Sequence, residues 1–232
     1  MATEATGSRR GGAKDRALDY VKTKVLTGAF PGGELISEGE VATALGMSRT
    51  PVREAFLQLE MAGLLKLYPQ RGALVVPVSP EEVRAVMEAR LVFEQFAARA
   101  VIGRGPAGCT AVFEQLSAQL ERQRQAAAAA RLPEFLDSDR TFHNITVEAA
   151  GNWILAGFYA TLRDRQMRMT GESALRDPQR LTTIIDEHRG IAEALRDGDL
   201  PRAREAVQIH LASTMQALGL APERISPDLD RR

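Results

Sequence analysis

Two short helical patterns meet at one glycine, and that junction limits the fold more than any other stretch of the chain. Ser37 and Glu40 stand at the spacing of a capping box, and Val41, Ala44 and Leu45 follow as an inward face that stops at Gly46. After Met47, Ser48 can cap a second helix whose first turn accommodates Pro51, where a missing N–H costs nothing. Val52, Phe56 and Leu59 recur at helical spacing and predict its buried side. Two helices joined by a tight glycine turn make a helix-turn-helix. The open side of the second helix begins with Arg49, Thr50 and Arg53. Two arginines alone would be ordinary solvated surface, but a basic, hydroxylic first turn on an apolar-backed helix suits a DNA major groove.

The flanks complete the pattern. Upstream, Leu18, Val21, Val25 and Leu26 form a helical stripe that ends near Gly28 and a Phe30-Pro-Gly-Gly33 turn. Downstream of Gly63 the period shortens: residues 64–68 and 73–78 are β-type runs around Pro69-Gln-Arg-Gly72. They predict a hairpin with Arg71 and Gly72 at its tip. Three helices and a two-stranded wing predict a winged helix over residues 13–78.

Ser79-Pro-Glu-Glu82 is a helix start with acids in the first turn, and from there to Leu220 no strand pattern occurs. Helices are predicted over residues 80–103, 107–129, 131–150, 152–171, 178–197 and 200–218, with breaks such as Gly103-Arg-Gly-Pro106 and Asp177-Pro178. The fold class is therefore mainly α: a winged helix-turn-helix with a small hairpin wing, then an all-α bundle of about six helices over 79–220. Aromatics at 5% and abundant Ala, Leu and Arg agree with helices over sheets. Residues 1–12 are polar, with Arg9-Arg10 but no apolar core behind them, and are expected to be a disordered arm rather than a secretory signal; residues 221–232 are expected to fray.

No apolar run approaches the ~20 residues of a membrane span. Cys109 is the lone cysteine, so no intramolecular disulfide can form and a cytoplasmic location is expected. With 30 Lys+Arg against 30 Asp+Glu, an indiscriminate polycation is excluded. Residues 1–78 hold ten basic against eight acidic residues, which permits a DNA-binding face there.

The sequence has three histidines, His143, His188 and His210, all in the helical second half. Asp139 precedes His143 by four residues, so both project from one helix face, about 6 Å apart along the axis. Ile184, Ile185 and Ile191 surround His188, and Val207 and Leu211 surround His210, which predicts that both point into the bundle. Imidazoles in a core need partners. A metal could satisfy several at once, and one carboxylate with three imidazoles suits Zn²⁺, Ni²⁺, Mn²⁺ or Fe²⁺. Three separately hydrogen-bonded core histidines would satisfy the same spacing.

The run from Ser48 to Ala55, closing in Leu59-Glu-Met-Ala-Gly63-Leu64, resembles the winged helix of the GntR family of bacterial transcription regulators. Asp139-Arg-Thr-Phe-His143, Gly151-Asn152, Glu187-His188 and His210 resemble the all-helical FCD ligand-binding domain of its FadR-type branch. The resemblance spans about residues 14–220 and implies a homodimeric, ligand-controlled regulator that binds a near-palindromic double-stranded DNA operator. It implies DNA contacts from Ser48, Arg49, Thr50 and Arg53, minor-groove entry by Arg71 and Gly72, metal ligation by Asp139, His143, His188 and His210, and an effector-facing Arg90. The expected effector is a small organic acid. Gly39 departs from the family pattern, in which a basic residue is common, and so removes one expected DNA contact. Two other functions compete with a metal-dependent sensor: a DNA-binding module fused to a metal-dependent hydrolytic enzyme, for which Glu148 and Glu187 are the nearby acids, and a bundle whose metal is purely structural.

Overall fold

A computed structural model describes residues 12–176 and 178–221. The arm and tail expected at the two ends lie outside the described residues, Gly12 and Ala221 apart, as does Asp177 of the expected break. The chain divides into two compact units, one ending at Pro77 and the other beginning at Val78.

The first unit contains α1 (Ala13–Leu26), β1 (Leu35–Ile36), α2 (Glu38–Leu45), α3 (Arg49–Met61), β2 (Leu65–Tyr68) and β3 (Gly72–Val75). The capping box forms: Ser37 Oγ accepts from the Glu40 amide at 3.1 Å, and Glu40 Oε2 accepts from the Ser37 amide at 3.1 Å. Gly46, at φ 61°, adopts the left-handed conformation that ends α2 and turns the chain into α3. Val21 and Val25 of α1, Val41 of α2, and Val52, Phe56 and Leu59 of α3 share one core with Leu65 and Val75 of the sheet.

Three details differ from expectation. Ala42 is buried in α2 and Ala44 is exposed, because Val41, Ala42 and Leu45 fall within about 100° of arc and Ala44 lies outside it. Ser48 holds the N-cap position of α3, yet its side chain makes no capping hydrogen bond. Pro51 occupies the third helical position, so one of the two amides such a hydroxyl normally caps does not exist. The wing is three-stranded, not a hairpin alone: the order is β1-β3-β2, all antiparallel, with Ile36 opposite Ala73 and Tyr68 opposite Gly72. Gly72 thus opens β3, and the turn itself is Pro69–Arg71. At φ 100°, Gly72 lets β1 approach so closely that a β-carbon there would sit 2.4 Å from the Ile36 carbonyl oxygen.

The second unit contains α4 (Pro80–Ile102), α5 (Gly105–Ala128), α6 (Leu132–Ala149), α7 (Trp153–Arg176), α8 (Pro178–Arg196) and α9 (Leu200–Ala217). Ser79 caps α4 by accepting from the Glu82 amide at 3.1 Å. The helices follow the expected spans closely, although α7 runs beyond the anticipated residue 171 and α5 starts within the expected break. Met87, Leu91, Leu116, Phe135, Phe142, Leu195 and Leu211 belong to the apolar core. Polar side chains from α4 to α9 also enter the interior of this unit, and they build the site.

Candidate metal centre and nucleic-acid interface

α6 places Asp139 and His143 one turn apart on its buried face, while His188 arrives from α8 and His210 from α9. One ligand-capable atom from each imidazole lies within 4.8 Å of the others. His143 Nε2 is 3.1 Å from His188 Nε2, and Asp139 Oδ1 is 3.5 Å from that same His188 nitrogen. The structure therefore brings together the four residues singled out as metal ligands.

Each ring is oriented through its other nitrogen. His143 Nδ1 donates to Glu94 Oε2 at 3.1 Å, His188 Nδ1 to Gln123 Oε1 at 3.0 Å, and His210 Nδ1 to Glu187 Oε2 at 2.8 Å. With the proton on Nδ1, each Nε2 carries a lone pair. Arg90 Nη2 donates to His143 Nε2 at 3.1 Å, and a guanidinium cannot accept, so that assignment is doubly fixed. His210 Nε2 is buried with no hydrogen-bond partner among the described residues. Three unprotonated nitrogens thus converge in the interior; Arg90 already satisfies that of His143, and the bare His210 nitrogen is costly unless a cation or donor reaches it. Three imidazoles and a carboxylate fit a divalent transition metal ion.

The electrostatics keep His143 and His188 neutral. Burial pushes His143 down to about 3, outweighing the opposing Glu94 carboxylate. Burial, with the adjacent His210 and His143, holds His188 well below the ordinary imidazole value. Neutral imidazole is the ligating form.

Two fully buried arginines border the cluster. Arg90 Nε donates to Glu94 Oε1 at 2.7 Å, and the Tyr159 hydroxyl donates to the same oxygen at 2.6 Å. Burial would raise the Glu94 pKa, but the Arg90 guanidinium, aided by His143, holds it well below the carboxylate range. Arg163 donates from Nη2 to Asp139 Oδ2 and from Nη1 to Gln166 Oε1. Burial likewise opposes ionisation of Asp139, and Arg163 prevails. Arg90 Nη1 and Arg163 Nε remain buried without a hydrogen bond among the described residues. Unspent guanidinium donors beside a metal-type donor set suit an anion.

The family resemblance points to Arg90, and neither it nor residue spacing points to Glu94, Gln123, Tyr159 or Arg163. Arg90 with Glu94, and Tyr159 with Arg163, do stand four residues apart. That spacing is also how surface ion pairs on helices look, so it did not distinguish core from surface. Of the two acids considered for general-base chemistry, Glu148 is exposed, and Glu187 is engaged by His210 and by Arg180 Nη1 at 3.3 Å.

In the first unit, Ser48, Arg49, Thr50, Arg53 and Arg71 are all exposed. A groove of about 700 Å³ runs between α2, α3 and the wing turn, lined in part by Glu38, Gly39, Arg49, Arg53, Arg71 and Gly72. Ser48 and Thr50 lie outside that lining, at the start of α3. Glu60 Oε1 accepts from the Leu67 amide at 2.8 Å and so fastens α3 to β2. Arg53 is bound to Glu38 through two of its nitrogens: Nε to Oε1 at 2.9 Å and Nη2 to Oε2 at 2.9 Å.

Comparison with known proteins gives two family matches, one in each unit. Residues 13–75 match the bacterial regulatory proteins of the gntR family, and residues 85–213 match the FCD domain. An HTH-type transcriptional regulator from an unstable DNA locus of Streptomyces ambofaciens is 31% identical over 227 residues, 94% of this chain and 90% of that protein. The HTH-type transcriptional repressor RspR of Escherichia coli is 30% identical over 190 residues, 80% of each chain. The solved structure of E. coli McbR/YncC shares the fold at a TM-score of 0.73 and 21% identity, over 90% of this chain and 98% of that one.

Proposed function

The chain belongs to the gntR family of bacterial transcription regulators and carries an FCD domain, and from that premise we propose a metal-centred, ligand-responsive repressor. In this proposal a cytoplasmic homodimer presents two α3 helices and two wings to a near-palindromic operator. Arg49, Thr50 and Arg53, with Ser48, would contact the major groove, and Arg71 and Gly72 the minor groove. Asp139, His143, His188 and His210 would hold one divalent ion, Zn²⁺, Ni²⁺, Mn²⁺ or Fe²⁺. That ion would supply a positive centre for the carboxylate of a small organic acid, with Arg90 as the second anchor.

The observation that carries the effector half is the convergence of three Nε2 lone pairs beside two buried guanidiniums with unused donors. The repressor name of the E. coli relative supports the direction of control. For the dimer, α4 and α7 pack together through Phe93 and Tyr159, with ring centroids 5.8 Å apart, and both carry exposed apolar side chains. Phe96 is 46% exposed, Phe158 65% and Trp153 82%, more apolar surface than a solitary helix pair normally leaves in water. The effector can alter DNA affinity only through different affinities for the competent and incompetent dimers.

The test combines elemental analysis with DNA binding. Purified protein should carry metal, bind a duplex selected from a randomised library, and change its affinity for that duplex with some member of a panel of small organic acids. Chelation should abolish that change. A chelated protein that responds as before would remove metal from the sensing role. Loss of folding on chelation with an unaltered ligand response in the residual folded protein would make the metal purely structural, and turnover of an acid by metal-loaded protein would favour the enzymatic alternative.

A further inference from the structure

The guanidinium of Arg53 has two usable edges, and the structure fills only one. Its side-on edge, Nε with Nη2, is bound by both carboxylate oxygens of Glu38. Its end-on edge, Nη1 with the second Nη2 proton, has no hydrogen bond among the described residues. Glu38 is the first residue of α2, fastened in place by the capping box next to it, and its side chain is 23% exposed against 66% for Arg53. Arg53 therefore projects into the groove from a fixed mount. Arg49 lies over Gly39 instead, its Nη2 3.4 Å from where a β-carbon would be, and has no carboxylate partner among the described residues.

We propose that Glu38 is a specificity-determining positioning residue: by holding the side-on edge of Arg53, it presents the end-on edge to one guanine. Guanine offers O6 and N7 as paired acceptors in the major groove, at the spacing of a guanidinium edge. A lone arginine can instead swing to a phosphate. Buttressed by Glu38, Arg53 loses the rotamers that permit this, and the adjacent carboxylate repels the backbone anion. The ion pair is also neutral overall, so Arg53 adds little to counterion release and its contribution is to base choice. The inference rests on the groove-reading role proposed for α3.

The experiment selects duplexes from a randomised library with wild-type protein and with Glu38→Gln, Glu38→Ala, Arg53→Ala and the Glu38→Ala/Arg53→Ala double variant. Affinities for selected and random-sequence duplexes are then measured across salt. Wild type should require a G·C pair at one position of each half-site, preferring it roughly 10–100-fold over its replacements. Both Glu38 variants should lose most of that preference, bind random duplex more tightly, and show a salt dependence steeper by about one charge. Adding Glu38→Ala to Arg53→Ala should change nothing further. Far-UV circular dichroism of the near-isosteric Glu38→Gln variant checks that the fold is intact. If both Glu38 variants keep the base preference and the salt slope while Arg53→Ala loses the preference, Glu38 has no such role and the groove assignment stands. If Arg53→Ala also keeps the preference, the groove assignment fails too.

Discussion

His143 and His188 point unprotonated Nε2 atoms at each other across 3.1 Å, while their Nδ1 atoms are committed to Glu94 and Gln123. Arg90 donates to the His143 nitrogen and eases the repulsion between these lone pairs, while the neighbouring His210 Nε2 has no hydrogen-bond partner among the described residues, and a cation at the centre would satisfy all three rings. Elemental analysis should therefore find about one divalent ion per chain in wild type and a loss of that ion in His143→Ala and in His188→Ala. Gln123→Ala, which frees His188 to rotate, should weaken metal affinity by roughly 10–100-fold. Full metal content in both histidine variants would leave three independently satisfied core histidines as the correct description.

Acid sensitivity of the metal-free protein follows from the same rings. His143, depressed to about 3, and His188, also depressed, bind protons more readily unfolded than folded. Their stabilising contribution is complete above the unfolded value of about 6.5 and declines as pH falls toward the folded value, by up to about 1.4 kcal/mol per pH unit per ring. Asp139 and Glu94, both lowered, extend the decline below about pH 4. Urea midpoints of chelated protein should fall steadily from about pH 7 to pH 5. Midpoints that hold level or rise over that interval would contradict the buried, neutral state of the rings.

Glu94 is the hinge of the buried polar network, accepting from Arg90, Tyr159 and His143. Glu94→Ala would strand a fully buried guanidinium and should cost about 3–5 kcal/mol in denaturant unfolding of the second unit. Tyr159→Phe removes one charge-assisted hydrogen bond and should cost about 1.5–3 kcal/mol. A near-neutral Glu94→Ala would mean that water reaches Arg90.

Gly72 has a structural duty besides its expected DNA contact. An alanine there would adopt a strained φ of 100° and drive its β-carbon to 2.4 Å from the Ile36 carbonyl, so β1 or the wing must shift. The change should cost more than about 1 kcal/mol, visible as a lower melting temperature for the first unit. DNA affinity should fall with it. An unchanged melting temperature would show that β1 is dispensable to the wing.

The period of the apolar residues made the helices legible from the start. The stripes of α1 and α3, the capping box at Ser37 and the glycine reversal at Gly46 are local, because neighbours within a few residues specify them. β1 was not legible. Two residues, Leu35 and Ile36, have no measurable period, and they are a strand only because β3 lies beside them. The missing hydroxyl cap at Ser48 is an intermediate case: Pro51 removes one of its acceptable donors, and the residue type alone conceals that.

Local pattern alone marks which segments are helical, that His143 and Asp139 share a face, and that Arg49 and Arg53 stand at the open side of α3, while the ends of α5 and α7 depart from it by a few residues. Tertiary structure decided which buried charges meet. Helical spacing says which side of a helix a residue occupies, but not what lies opposite. Arg90 and Glu94 would look the same as a surface pair, and Glu38 gave no sign of its partner fifteen residues away. Only the packing of α4 to α9 turns three dispersed histidines into one centre, and only the packing of α2 on α3 gives Arg53 its mount. Contact between groups distant in sequence depends on the whole fold, and no local pattern encodes it.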